Sequence, residues 1–326
     1  MSDFPPPTAA RWALEAVLFA AGLGERLRPL TEVCPKPALP LLDVPLGLQS
    51  LTRVLEVRSP VVVNAAHLAD RVLSALELDH RAGDVEVLIE APEPYGTAGT
   101  LAELRPQLGR TVLTWNSDML TDLSPRRLLD EHVRIGAIAT VAVAHDDTSP
   151  DFEFSGQRAT RFMDRRASNG GKGVRFIGAG VFERAALDRL PRRRPSGLGE
   201  ALLGPLADAG ELAVVVHEGY ALDVGTIERY LRASEDVLYG RGPGISPEPP
   251  GEIIEVKGGR AYVGPHANVD PESLGAGAIV LGGARVEAGA RIADAIVWPK
   301  EIVPAGARIS EGVWFRGTLI KPVTRA

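Results

Sequence analysis

The sequence predicts an α/β fold: a mostly parallel sheet with helices on both faces, followed by a parallel β-helix. Three observations carry this. Short apolar, β-branched runs alternate with stretches of helical spacing over most of the chain. The first apolar run breaks into glycines followed by cations, the composition of a strand exit that meets an anion. Beyond residue 259 the pattern changes to aliphatic residues six apart, with glycines crowding the gaps.

Composition bounds the reading. The 326 residues suffice for one large domain with an appendage or for two domains. A hydrophobic share of 45% and a charged share of 24% are those of a soluble globular protein. The net charge of −6 argues against general nucleic-acid affinity, which needs a basic face. The single cysteine, Cys34, excludes an intrachain disulfide and a multi-cysteine zinc site. The first twenty residues lack a basic segment ahead of a continuous apolar one, so no signal peptide is expected. There is no run of about 18 apolar residues to cross a membrane. The expectation is a cytoplasmic protein without nucleic-acid or membrane partners.

In chain order, 1–14 carries three consecutive prolines and precedes the first strand, 16–21. A helix is expected over 43–56, after Pro40, and a strand over 60–64. Residues 67–76 have helical spacing, 85–90 read as a strand and 97–104 as a helix. A strand over 111–115 delivers Asn116, Ser117 and Asp118 at its carboxyl end. Ser124 and Pro125 open the next helix as N-cap and first residue. Residues 137–144 form another strand, 152–174 hairpins and loops, 175–181 a strand, 198–208 a helix and 212–216 a strand. The helix over 227–238 follows Asp223 and Gly225. This alternation is Rossmann-like, and ligands of such sheets bind beyond the carboxyl ends of the strands, where the glycine stretch and Asp118 both lie. Four prolines and four glycines in 240–251 mark a connector. The expected division is 1–239, a connector over 240–258, and 259–326.

In the last part Val263, Val269, Val280, Val286 and Ile292 recur at about six residues, with one slip near Gly275. A second register holds Val297, Val303, Ile309 and Phe315. Small residues follow four positions later at Ala267, Ser273, Ala284, Ala290 and Ala307. One inward aliphatic residue per six suits a parallel β-helix.

The chemistry concentrates in 18–37. Gly22 and Gly24 free the backbone after the strand, and Arg26, Arg28 and Lys36 add positive charge, which together describe a polyphosphate site. A dinucleotide fingerprint fails because Leu27 stands where its third glycine belongs. Gly170-Gly171-Lys172-Gly173 lacks the spacing and hydroxyl residue of a P-loop. The six histidines show no metal-ligand spacing.

The stretch AAGLGERLRPLTEVCPKPALP resembles the signature of the sugar-phosphate nucleotidylyltransferases, approximately AAGxGxRLxPLTxxxPKPxxP. Glu93-Pro94-Tyr95-Gly96-Thr97-Ala98-Gly99 is similar to that family's nucleobase-side loop, and Asn116-Ser117-Asp118 to its N-G-D metal site, with Ser117 in place of glycine. Gly178-Ala179-Gly180 resembles its sugar-side strand, and Asp223-Val224-Gly225-Thr226 its D-I-G-T segment. Asp164-Arg165 stands where many members carry Glu-Lys, so the sugar pocket departs from the pattern. Within the family the chain looks most like the mannose-1-phosphate guanylyltransferase group, with glucose-1-phosphate thymidylyl- or uridylyltransferases and a catalytically silent nucleotide-sugar-binding subunit as alternatives.

The resemblance implies a magnesium-dependent transfer from a nucleoside triphosphate to a sugar 1-phosphate. Asp118 and Asp223 would hold Mg2+. Arg26 would meet the β- and γ-phosphates, and Lys36 the α-phosphate and the sugar phosphate. Arg26, Lys36 and Asp118 would be catalytic. Ala20, Ala21, Gly22, Gly24, Glu25, Glu93, Gly96 and Thr97 would complete the nucleotide site, and Asp164, Arg165 and Gly180 would join Lys36 at the sugar phosphate. It further implies a left-handed β-helix at the C-terminus, through which a homo-oligomer would form.

Overall fold

The structure is a computed structural model that describes residues 14–77, 83–146, 150–162 and 173–323. In chain order the first strand is β1 (Leu14–Phe19), followed by three single turns of 3₁₀ helix and a tight hairpin of β2 (Pro40–Leu41) and β3 (Val44–Pro45). Then come α1 (Leu46–Leu55), β4 (Val61–Ala65), α2 (Ala69–Glu77), β5 (Val85–Ile89), α3 (Thr97–Leu104), β6 (Thr111–Asn116), β7 (Met119–Thr121), α4 (Pro125–Ile135) and β8 (Ala139–His145). The hairpin β9 (Phe152–Ser155) and β10 (Arg158–Phe162) leads to β11 (Val174–Glu183) and α5 (Arg184–Leu187). A π-helical turn, Gly199–Leu203, runs into α6 (Gly204–Asp208), and β12 (Leu212–Val216), β13 (Ala221–Asp223) and α7 (Ile227–Leu238) follow.

Nine strands form one sheet in the order β5-β4-β1-β6-β11-β8-β12-β10-β9. The pairs β5–β4, β4–β1, β1–β6 and β8–β12 are parallel. The sheet is mixed rather than mostly parallel, because β11 runs antiparallel to both β6 and β8 at its centre. Among the described residues no helix lies between β8 and β11. A parallel return would need a crossover of a dozen or more residues, usually a helix, whereas a hairpin chain comes back antiparallel. Because β1 and β6 are parallel, with Phe19 opposite Asn116, their carboxyl ends open on one edge.

Two helix boundaries differ from expectation for local reasons. The helix expected from residue 43 begins at Leu46, because Leu42 and Asp43 take φ of 48° and 65° at the tip of the β2–β3 hairpin. The helix expected over 198–208 is split. Pro205 has no N–H to give, and the preceding Gly204 N–H reaches back to Gly199. Elsewhere the local signals hold: Ser124 Oγ accepts from Arg127 N–H and Thr226 Oγ1 from Arg229 N–H, capping α4 and α7.

The span 240–258 contains β14 (Glu252–Val256), paired antiparallel with β15 (Gly259–Val263). Beyond them lie β16 (Ala278–Val280), β17 (Arg285–Val286), β18 (Arg291–Val297), β19 (Ile302–Val303), β20 (Arg308–Phe315) and β21 (Thr318–Ile320). Val263 stands beside Val280, Val280 beside Val297, and Val297 beside Trp314, all in parallel register and seventeen residues apart. Val286 and Val303 repeat that step on a second sheet, and Ile292 and Ile309 on the first. The coil is seventeen residues, so one step in three is five residues rather than six, which produces the slip between the two registers. Val280, Val286, Ile292, Val297, Val303 and Ile309 are buried in one cluster, with Ala284 and Ala290 beside them.

The sheet is packed on both faces. A further core joins the segment after β1 to the C-terminal strands: Leu27, Leu30 and Leu41 pack with Tyr230, Trp298 and Phe315. The backing of the glycine–cation stretch is therefore built partly from residues nearly three hundred positions away. No helix among the described residues is long and apolar enough to cross a membrane.

Candidate active site

Gly24 takes φ 62°, and a Cβ there would lie 2.8 Å from Thr31 Cγ2, so glycine is required for both conformation and space. Thr31 Oγ1 donates to Gly24 O at 2.9 Å, closing the loop, while Leu27 and Leu30 anchor it in the core. The anchored loop leaves Glu25 and Arg26 exposed and carries Lys36 inward.

Lys36 Nζ donates to Asp118 Oδ2 and to Asp223 Oδ1, the latter at 3.3 Å. Asp118 follows β6 and Asp223 ends β13, which pairs with β7 so that Asp223 stands opposite Met119. The short β7–β13 ladder is what brings the two carboxylates, distant in sequence, to one ammonium. Arg229 Nη1, in the first turn of α7, donates to Asp223 Oδ2 at 2.9 Å. Burial acts to lower the Lys36 pKa, but attraction to Asp118 and Asp223 outweighs it and the pKa is raised. Burial likewise acts to raise that of Asp223, but Lys36, Arg229 and Arg26 together hold it below the usual carboxylate value. A Cβ on Gly225 would come 2.8 Å from Arg26 Nη2, so the absence of a side chain admits that guanidinium beside Asp223.

A cavity opens beside Lys36 and Asp118. One wall is the exit of β1, with Ala20, Ala21 and Gly22, and the other is Gly96 and Thr97 at the start of α3. Asn64 and Glu90, each 3% exposed, also line it. Asn64 Oδ1 accepts from Ala20 N–H at 2.6 Å, and its amide donates to Glu90 Oε1 at 2.8 Å. Glu90 also accepts from Thr100 Oγ1 at 2.5 Å and from Tyr95 N–H at 2.7 Å. This network ties the glycine stretch to the 91–97 loop. Neither Asn64 nor Glu90 was a sequence-based candidate, although both are polar residues closing apolar strands at their carboxyl ends.

Of the residues expected in the site, Ala20, Ala21, Gly22, Lys36, Gly96, Thr97 and Asp118 line the cavity. Arg26 and Asp223 flank it through the charge cluster. Glu93 is exposed, and Glu25 faces Arg28 at 3.6 Å on the surface. Gly180 is buried within the sheet, where a Cβ would press on the Phe182 ring. Gly178, with φ 83°, is instead the glycine against Asn116, which lines the cavity. Gly96 takes φ 75°, and a Cβ there would lie 2.5 Å from Ser196 O, so close packing of the 193–198 segment explains this glycine. Asp164 and Arg165, and with them Gly170, Gly171 and Lys172, lie outside the described residues.

The donor set can be tested for a divalent cation. Among the described residues no group of three or more His, Cys, Asp or Glu side chains gathers. Asp118 Oδ1, however, is buried with no hydrogen-bond partner, beside a second carboxylate. Magnesium takes oxygen ligands and is usually held by one or two carboxylates plus substrate phosphates, so the pair fits.

A family model described as nucleotidyl transferase matches residues 15–240. The chain is 27% identical over 304 residues to mannose-1-phosphate guanylyltransferase of Mycobacterium tuberculosis, covering 87% of this chain and 80% of that protein. It is 32% identical over 231 residues to N-acetylmuramate alpha-1-phosphate uridylyltransferase of Neisseria meningitidis serogroup B, covering 68% of this chain and 96% of that protein. Among solved structures, HddC from Yersinia pseudotuberculosis superposes with a TM-score of 0.58 at 18% identity, over 68% of this chain and 98% of that one.

Proposed function

The chain belongs to the nucleotidyl transferase family, and from that membership we infer that it is an enzyme transferring a nucleotidyl group from a nucleoside triphosphate to a sugar 1-phosphate. The observation that carries the mechanism is the placement of Lys36 between Asp118 and Asp223 at the mouth of a cavity built from strand exits. A phosphate oxygen of the sugar 1-phosphate attacks the α-phosphorus, an O–P bond forms, and the α–β bridging bond breaks to release pyrophosphate. No carbon chemistry is needed, so positioning and charge neutralisation do the catalysis.

Lys36 leaves the carboxylates for the α-phosphate and the incoming sugar phosphate as substrates bind. Arg26, exposed beside Gly225, meets the β- and γ-phosphates and then the leaving pyrophosphate. Ala20, Ala21 and Gly22 offer backbone to the triphosphate, and Gly96 and Thr97 border the base. Asp118 and Asp223 would hold Mg2+, whose charge would offset that of the triphosphate. Arg229 positions Asp223.

The preferred pair is GTP with mannose 1-phosphate. The mycobacterial guanylyltransferase matches across 87% of this chain, reaching into the C-terminal strands, whereas the neisserial uridylyltransferase matches 68%. UTP with a sugar 1-phosphate is the second reading, carried by the latter's higher identity of 32%. We read 1–239 as the catalytic domain, 240–258 as its connection and 259–326 as a left-handed parallel β-helix through which copies assemble. The seventeen-residue parallel register supports the coil. Pyrophosphate release measured over a panel of triphosphates and sugar 1-phosphates with Mg2+ tests the assignment. One pair should exceed the rest, and absence of release with every pair overturns it.

A further inference from the structure

A second cavity, of about 950 Å³, lies outside the candidate active site, between the end of α3, α5 and the 192–194 segment. It is lined by five arginines, Arg105, Arg184, Arg192, Arg193 and Arg194, against only two carboxylates, Glu103 and Asp188. Three of the five are engaged. Arg184 Nη1 donates to Arg105 O at 3.0 Å and its Nε to Asp188 Oδ1 at 3.0 Å. Arg105 Nη1 reaches the carbonyls of Leu187 and Asp188 at 3.4 Å. Arg194 pairs with Glu103 and lies 3.8 Å over the Tyr95 ring. Arg192 and Arg193, both exposed, have no ion pair or hydrogen bond among the described residues.

The cavity volume falls in the range of roughly 300–1,000 Å³ that accommodates small ligands. The surplus of guanidinium over carboxylate calls for a ligand with several negative charges, and the planar fork of arginine matches phosphate. The chain as a whole carries −6, which disfavours an extended nucleic acid over a compact anion.

The cavity is also joined to the candidate active site. Glu103, in the last turn of α3, faces it, while Thr97, the first residue of α3, lines the active-site cavity, about 9 Å away along six steps of the helix. Ser196, just past the arginines, donates its N–H to Tyr95 O at 2.9 Å and accepts from Ala98 N–H at 3.0 Å. The arginine segment is thus stitched to the loop that carries Gly96.

We propose that this cavity is a second ligand site, for a small multiply phosphorylated anion, with Arg192 and Arg193 as its free phosphate-binding groups. Calorimetric titration with sodium tripolyphosphate tests it on the full chain, on Lys36→Ala and on an Arg192→Ser/Arg193→Ser double variant. An equivalent of tripolyphosphate should bind the wild type beyond any held at the active site, persist in Lys36→Ala, weaken with added KCl, and be lost or weakened at least tenfold in the double variant. The double variant's nucleotidyl transfer without tripolyphosphate should stay at the wild-type rate, showing that it folds. Wild-type affinity and stoichiometry in the double variant would overturn the proposal. So would loss of all binding in Lys36→Ala, or capture of single-stranded RNA by these arginines in preference to tripolyphosphate.

Discussion

The Lys36 ammonium lies 3.3 Å from Asp223 Oδ1 while also donating to Asp118, so one cation holds two carboxylates that arrive on different strands. The pKa of Lys36 is raised and that of Asp223 lowered by this arrangement. The stabilisation is therefore present from above the usual Asp value, about 3.9, to below the usual Lys value, about 10.4. It is lost as pH falls through the depressed Asp223 pKa or rises through the elevated Lys36 pKa. Replacing Lys36 by Met should cut turnover by about 10²–10³-fold, the scale of losing one donor to developing charge. It should also lower the unfolding temperature at neutral pH, where the two carboxylates would face each other without their shared counter-ion. Steady-state kinetics and a thermal melt check both.

Glu90 accepts hydrogen bonds from Asn64, Thr100 and Tyr95 while 3% exposed. In Glu90→Gln one carboxylate oxygen becomes an amide donor facing donors, leaving a buried mismatch. The expected cost is about 1–3 kcal/mol of stability. The KM for triphosphate should rise more than kcat falls, because the residue positions both walls of the cavity. Urea denaturation and initial-rate kinetics separate the two effects.

Gly96 has φ 75° and ψ 157°, a region essentially restricted to glycine, with Ser196 backbone against the place of its missing side chain. Gly96→Ala should destabilise the protein by about 1–3 kcal/mol through backbone strain. It should also loosen the 91–97 loop, seen as faster amide exchange at Ala98 and Gly99, whose N–H groups donate to Ser196 O.

Asp43 anchors the β2–β3 hairpin to the C-terminal strands, accepting from Tyr262 OH at 3.0 Å and from Gly282 N–H at 2.9 Å. Burial raises its pKa against the opposing effect of those two donors. The folded state then holds a proton that the unfolded state has released, from about pH 4 upward to the raised value, so this group's contribution falls as pH rises through that window. Asp43→Asn keeps an acceptor and removes the titration, so its stability should vary less with pH there. Denaturation midpoints across the window decide, and equal slopes for both proteins would contradict the reading.

The charged core of the site was legible in the sequence because it sits where apolar runs end. Asp118 and Asp223 stand at the ends of strand-like segments, and Lys36 sits between two prolines in the stretch that follows the first strand. Asn64 and Glu90 carry the same signal but lie outside the recognised motifs, and only their mutual hydrogen bonds make them a unit. Strand direction was not legible: the apolar pattern of β11 is the same whether it runs parallel or antiparallel. The choice between Gly178 and Gly180 was hidden too, since the register of β11 on β6, with Ala179 opposite Trp115 and Gly180 opposite Thr114, decides which glycine meets Asn116. The coil repeat appeared as six because two steps in three are six. The seventeen-residue register needed the pairing of neighbouring coils.

The most direct test of the account is phosphorus NMR of the wild-type protein with Mg2+, GTP or UTP, and mannose 1-phosphate or another sugar 1-phosphate. One combination should yield a sugar nucleotide diphosphate and pyrophosphate in equal amounts, and Lys36→Met should slow both together. Triphosphate left intact with every sugar phosphate, or pyrophosphate released without a sugar nucleotide, would contradict it.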